Sequence, residues 1–206
     1  MSFESITTKV ARYYSARLGE FGSSARGVDW NSEESQVLRF RQLARVLPES
    51  GHFSVLDYGC GYGALIDFLE LLELDFEYRG YDVSADMIGQ ARQTHQGANC
   101  AFSTDEGELE VADYSIASGI FNVKLDTPVA EWEGYVAHTL DSLDRLSRGG
   151  FAFNMLTSYS DADRMRADLY YGDPRFYFDL CKRRYSKQVA LLHDYGLYEF
   201  TMIVRK

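Results

Sequence analysis

The chain has 206 residues, 46% hydrophobic and 25% charged, the balance of a soluble globular protein long enough to bury a core. Its 31 Asp and Glu against 21 Lys and Arg give a net charge of −10, which argues against nucleic acid as a partner. Three cysteines without a CxxC pair argue against a disulfide framework or a zinc site, and no apolar run reaches membrane-spanning length.

In chain order, Ile6, Val10, Tyr13, Tyr14 and Leu18 fall at helical spacing over residues 5–18. Residues 19–29 are rich in Gly and Ser and read as a loop. Asn31 can cap a second helix, with Glu34 three residues later as in a capping box, and Val37, Leu38, Phe40, Leu43, Val46 and Leu47 as its apolar face. Strand and helix then alternate. Strands are predicted at 53–56, 76–81, 100–102, 114–118 and 151–155. Helices are predicted at 64–74, from Ser84 to about 93, and at 131–146, the last ended by Gly149 and Gly150. Residues 161–185 read as two helical pieces, the second opened by Asp173 and Pro174. Two final strands, 188–192 and 198–204, flank the turn His193-Asp194-Tyr195-Gly196 and must run antiparallel. The pattern predicts a Rossmann-like, doubly wound α/β fold: a seven-stranded, mostly parallel sheet with one antiparallel strand near the C-terminus.

The loop after the first strand reads Asp57-Tyr58-Gly59-Cys60-Gly61-Tyr62-Gly63. Glycines there let backbone N–H groups approach a ligand, at the end of the sheet where such folds bind. Gly59 to Ala64 formally satisfies a GxGxxA dinucleotide fingerprint, a weak match by itself. Asp57 opposes a pyrophosphate and favours a cation. With Asp57, the segment resembles the first motif of class I S-adenosylmethionine-dependent methyltransferases, a strand followed by acid-x-GxGxG.

That resemblance implies S-adenosylmethionine as cofactor. Asp57, Gly59, Gly61 and Gly63 would face its methionine half, and Asp82, next to Val83 at the end of the second strand, would hold the ribose hydroxyls. Asp105 and its neighbour Glu106 would read adenine, and Ser118 and Gly119 would also touch the cofactor. Phe121 and Asn122 would face the methyl acceptor, with Asn122 and His193 the catalytic candidates and His193 a possible base. His193 could equally be a hydrogen-bonded turn residue. Asn154 points to the same rim, and Arg17 or Arg26 would serve a carboxylate acceptor. Residues 1–50 would form a helical lid, with Tyr13, Tyr14 and Trp30 as its inner wall, over a methyltransferase domain at 51–206. Tyr170, Tyr171, Phe176 and Tyr177 could form the opposite wall.

The Asn-Pro-Pro-aromatic tetrad that DNA-adenine and some protein methyltransferases of similar fold carry does not follow the fourth strand. The expected acceptor is a polar small molecule, methylated at oxygen or carboxylate, in a cytoplasmic enzyme with no membrane partner and no metal. A nicotinamide oxidoreductase and a non-catalytic S-adenosylmethionine-binding module are the alternatives.

Overall fold

The computed structural model describes residues 3–30, 32–97 and 99–206. Helices α1 (Phe3–Phe21) and α2 (Glu33–Leu43) precede the sheet. Asn31, expected to cap α2, lies outside the described residues. The cap is Ser32, whose hydroxyl accepts from Ser35 N, and Ser35 rather than Glu34 completes the capping box.

The alternation then runs β1 (Phe53–Tyr58), α3 (Ala64–Leu71), β2 (Phe76–Tyr81), α4 (Ala85–Thr94), β3 (Cys100–Ser103), β4 (Ala112–Ala117), α5 (Val129–Arg145) and β5 (Ser147–Leu156). It closes with α6 (Pro174–Arg184), β6 (Gln188–Leu192) and β7 (Glu199–Arg205). The sheet order is β3-β2-β1-β4-β5-β7-β6. β7 is antiparallel to both β5 and β6, and the other pairings are parallel. β1 therefore has β2 on one side and β4 on the other, so strand order reverses there and a crevice opens beyond the carboxyl ends of these strands.

Alternation along β1 builds two cores. Leu56 and Tyr58 join Trp132, Val136, Leu140 and Leu143 of α5 on one face. Phe53 and Val55 join Phe40 and Leu43 of α2 and Leu65, Ile66 and Leu69 of α3 on the other. Each fully buried side chain of this size contributes roughly 1.5–3 kcal/mol.

Two elements differ from the sequence reading. Gly149 and Gly150 do not end α5, which stops at Arg145; they lie inside β5. A Cβ at Gly150 would sit 2.2 Å from Val204 O, so close pairing with β7 demands glycine. Residues 161–172 hold a single 3₁₀ turn, Ala162–Arg164, where a longer helix was expected. Residues 161–167 are all exposed, and without an apolar face to bury, tertiary packing gives no reason to extend that turn. Asp173 does cap α6, accepting from Arg175 N.

Candidate active site

The chain leaves β1 into three glycines with positive φ: 86° at Gly59, 55° at Gly61 and 91° at Gly63. The N–H groups of Gly59 and Cys60 donate to Tyr81 O at 2.7 and 2.9 Å, tying the loop to the end of β2. Asp82 completes the tie: one carboxylate oxygen accepts from Gly61 N at 2.9 Å and the other from Ser84 N at 2.8 Å. Burial pushes the Asp82 carboxyl up, opposed by these two N–H donors.

Asp57, at the end of β1, is 3% exposed. Tyr78 donates its hydroxyl to Asp57 Oδ2 at 2.6 Å, whereas Oδ1 is buried with no partner. Burial raises this carboxyl to about 7, the Tyr78 hydrogen bond lowers it, and the neighbouring Asp82 raises it further. A buried carboxylate oxygen without a donor is unfavourable unless something cationic or hydrogen-bonding reaches it. Asp57 borders a small cavity of about 40 Å³ shared with Ser118, whose buried hydroxyl also has no partner.

That space adjoins a cavity of about 70 Å³ over the glycine loop, with Gly59, Gly61 and Asp82 on its floor. Tyr58, Tyr81, Val83 and Tyr135 form its side, and Tyr14, Val28 and Trp30 its roof. The roof presses on the glycines: a Cβ on Gly119 would be 2.2 Å from the Trp30 ring, and one on Gly61 would be 3.2 Å from Val28. A nucleoside-sized ligand needs a site on the order of 300 Å³ or more, so Trp30 and its neighbours must shift to admit one.

A second cavity, of about 230 Å³, shares Tyr14, Val28, Trp30 and Gly119 with the first. Asn122, Arg39, Glu199, Arg164, Arg166 and Tyr171 belong to its lining. The segment after β4, which separates the two cavities, is held at three points. Gly119 N donates to Asn154 Oδ1 at 2.7 Å, Trp132 Nε1 to Phe121 O at 3.0 Å, and Leu156 N to Asn122 Oδ1 at 3.0 Å. Asn154 also donates to Glu199 at 2.6 Å, and Glu199 is paired with the buried Arg39 at 2.5 Å. Trp30 lies over that guanidinium, 3.9 Å from ring centroid to Cζ.

Residues 55–140 match the model of a methyltransferase domain family. A curated Mycobacterium tuberculosis protein named as a methyltransferase, Rv1506c, is 55% identical over 163 residues, which is 79% of this chain and 98% of that protein. The chain belongs to the class I S-adenosylmethionine-dependent methyltransferases. Two solved structures share the fold at low identity. Magnesium protoporphyrin IX methyltransferase from Synechocystis PCC 6803, crystallised with S-adenosylmethionine, has a TM-score of 0.62 and 16% identity over 99% of this chain and 98% of that one. Human N-acetylserotonin methyltransferase has a TM-score of 0.67 and 17% identity over 100% of this chain and 60% of that one. The cofactor is S-adenosylmethionine, and the orphaned Asp57 oxygen beside three positive-φ glycines suits its ammonium and close-lying backbone.

Within the methyltransferase, Asp82, Val83, Gly59, Gly61, Ser118 and Gly119 converge on the first cavity, and Asp57 lies beneath it. Gly63 does not line it: it starts α3, and a Cβ there would meet the His95 ring at 2.8 Å. Asp105 and Glu106 are also outside. Asp105 caps a 3₁₀ turn by accepting from Gly107 N, and Glu106 accepts from Tyr58, Ser142 and Arg145. Both carboxylates are engaged by the chain itself.

His193 follows β6, exposed, with its ring 5.9 Å from Tyr159 and 6.3 Å from Phe200, and it lines neither cavity. Because β7 inserts between β5 and β6, the end of β6 falls at the sheet edge, away from the crevice. Asn122 borders the second cavity, but its Oδ1 holds the backbone of β5. Phe121 is fully buried against Phe153 rather than facing a ligand. Arg17 pairs with Asp29 at 2.8 Å, and Arg26 stacks on Phe21. Of the aromatic walls, Tyr14, Trp30 and Tyr171 line cavities. Tyr13 donates to Asp29, Tyr170 and Tyr177 are core residues, and Phe176 is exposed.

Sequence reasoning passed over Tyr58, Tyr81 and Tyr135, and the cluster of Arg39, Arg164, Arg166 and Glu199. Tyr58 and Tyr81 sit at strand ends next to recognised motif residues, which was an available signal. The arginine cluster draws on segments that only the fold brings together. No helix among the described residues is long and apolar enough to cross a membrane.

Proposed function

We propose that this methyltransferase transfers a methyl group to an oxygen, hydroxyl or carboxylate, of a polar small molecule held in the second cavity. The observation that carries this reading is the shared wall: Tyr14, Val28, Trp30 and Gly119 border both cavities, so a methyl group in one would be presented to the other.

On this reading Asp57 receives the ammonium of the cofactor through Oδ1, while Gly59 and Gly61 let the backbone come close. Asp82, already fixed by two N–H donors, has lone pairs left for vicinal hydroxyls. Tyr58, Tyr81, Val83 and Tyr135 offer a flat apolar wall for adenine. Bound there, S-adenosylmethionine supplies an electrophilic methyl on a positively charged sulfur.

The protein's part is then orientation and exclusion of water. Gly119, fixed by Asn154, sets the backbone edge between the two ligands. Tyr14 stays a neutral phenol, because burial and Asp29 push its ionisation up, so it orients rather than removes a proton. His193 has no role in this reading. A carboxylate acceptor needs no base, and an acidic hydroxyl such as a phenol would enter as its anion, its proton lost to solvent before water is excluded. The N-terminal segment acts as the lid, since Tyr14, Val28 and Trp30 all come from it.

The test is formation of S-adenosylhomocysteine from S-adenosylmethionine across panels of small hydroxy acids, phenols, sugars and amines. Turnover with oxygen acceptors that persists in His193→Ala is expected. Turnover confined to amines, or lost in that variant, would overturn the assignment.

A further inference from the structure

A chain of net charge −10 gathers three arginines, Arg39, Arg164 and Arg166, around the second cavity. The carboxylates in its lining are already engaged. Glu199 is gripped by Arg39 through Nε and Nη2 at 2.5–2.8 Å. Asp29 is held by Arg17 and by the Tyr13 hydroxyl, both at 2.8 Å. Just outside the lining, Asp168 pairs with Arg166 at 2.5 Å.

Two cationic features are left over. Arg39 is 6% exposed, and its Nη1 is buried with no hydrogen-bond partner. A guanidinium carries five donors in a rigid fork, and a buried donor without an acceptor is unfavourable. Arg164, at the mouth of the cavity, has no ion-pair partner among the described residues. Arg164 thus leaves the lining with surplus positive charge in a protein whose average surface repels anions, and Arg39 behind it keeps a buried planar N–H donor suited to an oxyanion once the side chains over it shift.

We propose that the methyl acceptor is an anionic small molecule bearing a carboxylate or phosphate-type oxyanion. Arg39 Nη1 and Arg164 receive that oxyanion, and Arg166 flanks it. This rests on the second cavity being the acceptor site. A polyanion such as nucleic acid is disfavoured by the acidic surface beyond the cavity. The bond from Arg39 through Glu199 and Asn154 to Gly119 places the anion's receptor in one hydrogen-bonded chain with the wall between the two cavities.

The experiment uses the full chain, first titrated with S-adenosylhomocysteine and then, in that complex, with inorganic phosphate, benzoate, benzyl alcohol and benzylamine by calorimetry. Phosphate or benzoate is expected to bind at least tenfold tighter than the alcohol and the amine. The tighter of the two anions tells a phosphorylated acceptor from a carboxylic one. Arg164→Gln and Arg39→Lys, which keeps the pair with Glu199 but loses the fork, should each weaken that anion at least fivefold. S-adenosylhomocysteine affinity should stay within twofold in Arg164→Gln. Equal binding of anion, alcohol and amine, or anion binding indifferent to both substitutions, overturns the proposal. Failure of the wild type to bind S-adenosylhomocysteine would show in the first titration and would overturn the reading of the cavities as well.

Discussion

Asp57 offers the sharpest test of how the cofactor is held. Its carboxyl is raised to about 7, chiefly by burial. Near pH 6 the free protein would hold it protonated about ten to one, and near pH 8 the ratio reverses. A cationic ammonium at Oδ1 favours the ionised form, so binding at pH 6 must first expel the proton. Affinity should therefore fall about tenfold between pH 8 and pH 6 through this group alone, about 1.4 kcal/mol. The ligand's own amine, ordinarily titrating near 7.7–8.0, works in the opposite direction. The ratio of wild-type to Asp57→Asn affinity cancels it. Calorimetry with S-adenosylhomocysteine in buffers of different ionisation enthalpy reads both quantities. That ratio should drop about tenfold on acidification, with about 0.9 proton released by the wild type at pH 6 beyond that of the variant. The same group also acts on the ligand-free fold. Because its folded value lies above the unfolded one, near 3.9, its contribution to stability is full below that value and is lost as pH rises through about 7. A flat affinity ratio from pH 6 to 8 would refute a carboxylate–ammonium contact.

Asp82→Ala removes the acceptor for both Gly61 and Ser84 N–H groups as well as any ribose contact, and is expected to weaken cofactor binding at least tenfold, about 1.4 kcal/mol by calorimetry. Arg39→Met strands Glu199, itself 1% exposed, and should cost about 3–5 kcal/mol in chemical denaturation, a loss that Glu199→Met in the same chain largely reverses. Trp30 is one of two tryptophans and lines the first cavity with its ring against Gly119, while Trp132 is fully buried; cofactor binding should change the intrinsic fluorescence of the wild type but not of Trp30→Phe.

The sheet was legible because each strand is a short apolar run between turn signals, and a hairpin with a short turn can only be antiparallel. The shape of the loop after β1 was legible for a related reason. Asp57, Gly59, Gly61 and Asp82 lie at strand ends, where local sequence alone says which way the chain turns. The misreadings share a cause as well. Gly149 and Gly150 look like a helix stop, but the constraint on Gly150 comes from Val204, fifty-odd residues away. Local sequence likewise does not show that Asp105 accepts from Gly107 N in a 3₁₀ turn, or that Glu106 accepts from the hydroxyls of Tyr58 and Ser142.

The second cavity was illegible because its residues are chosen by topology. His193 follows β6, and sequence order suggests that every strand end faces the crevice; inserting β7 moves β6 one place out and takes His193 with it. The same insertion carries Glu199, the first residue of β7, to a place beside Asn154 on β5. There it can meet Arg39 from α2, which is 160 residues away in the chain. A histidine that looked catalytic is displaced, and an arginine that the sequence reading passed over becomes a buried pair with a donor to spare. One change in strand order accounts for both, so a variant that unpairs β7 from β5 should lose the arginine site before it loses the glycine loop.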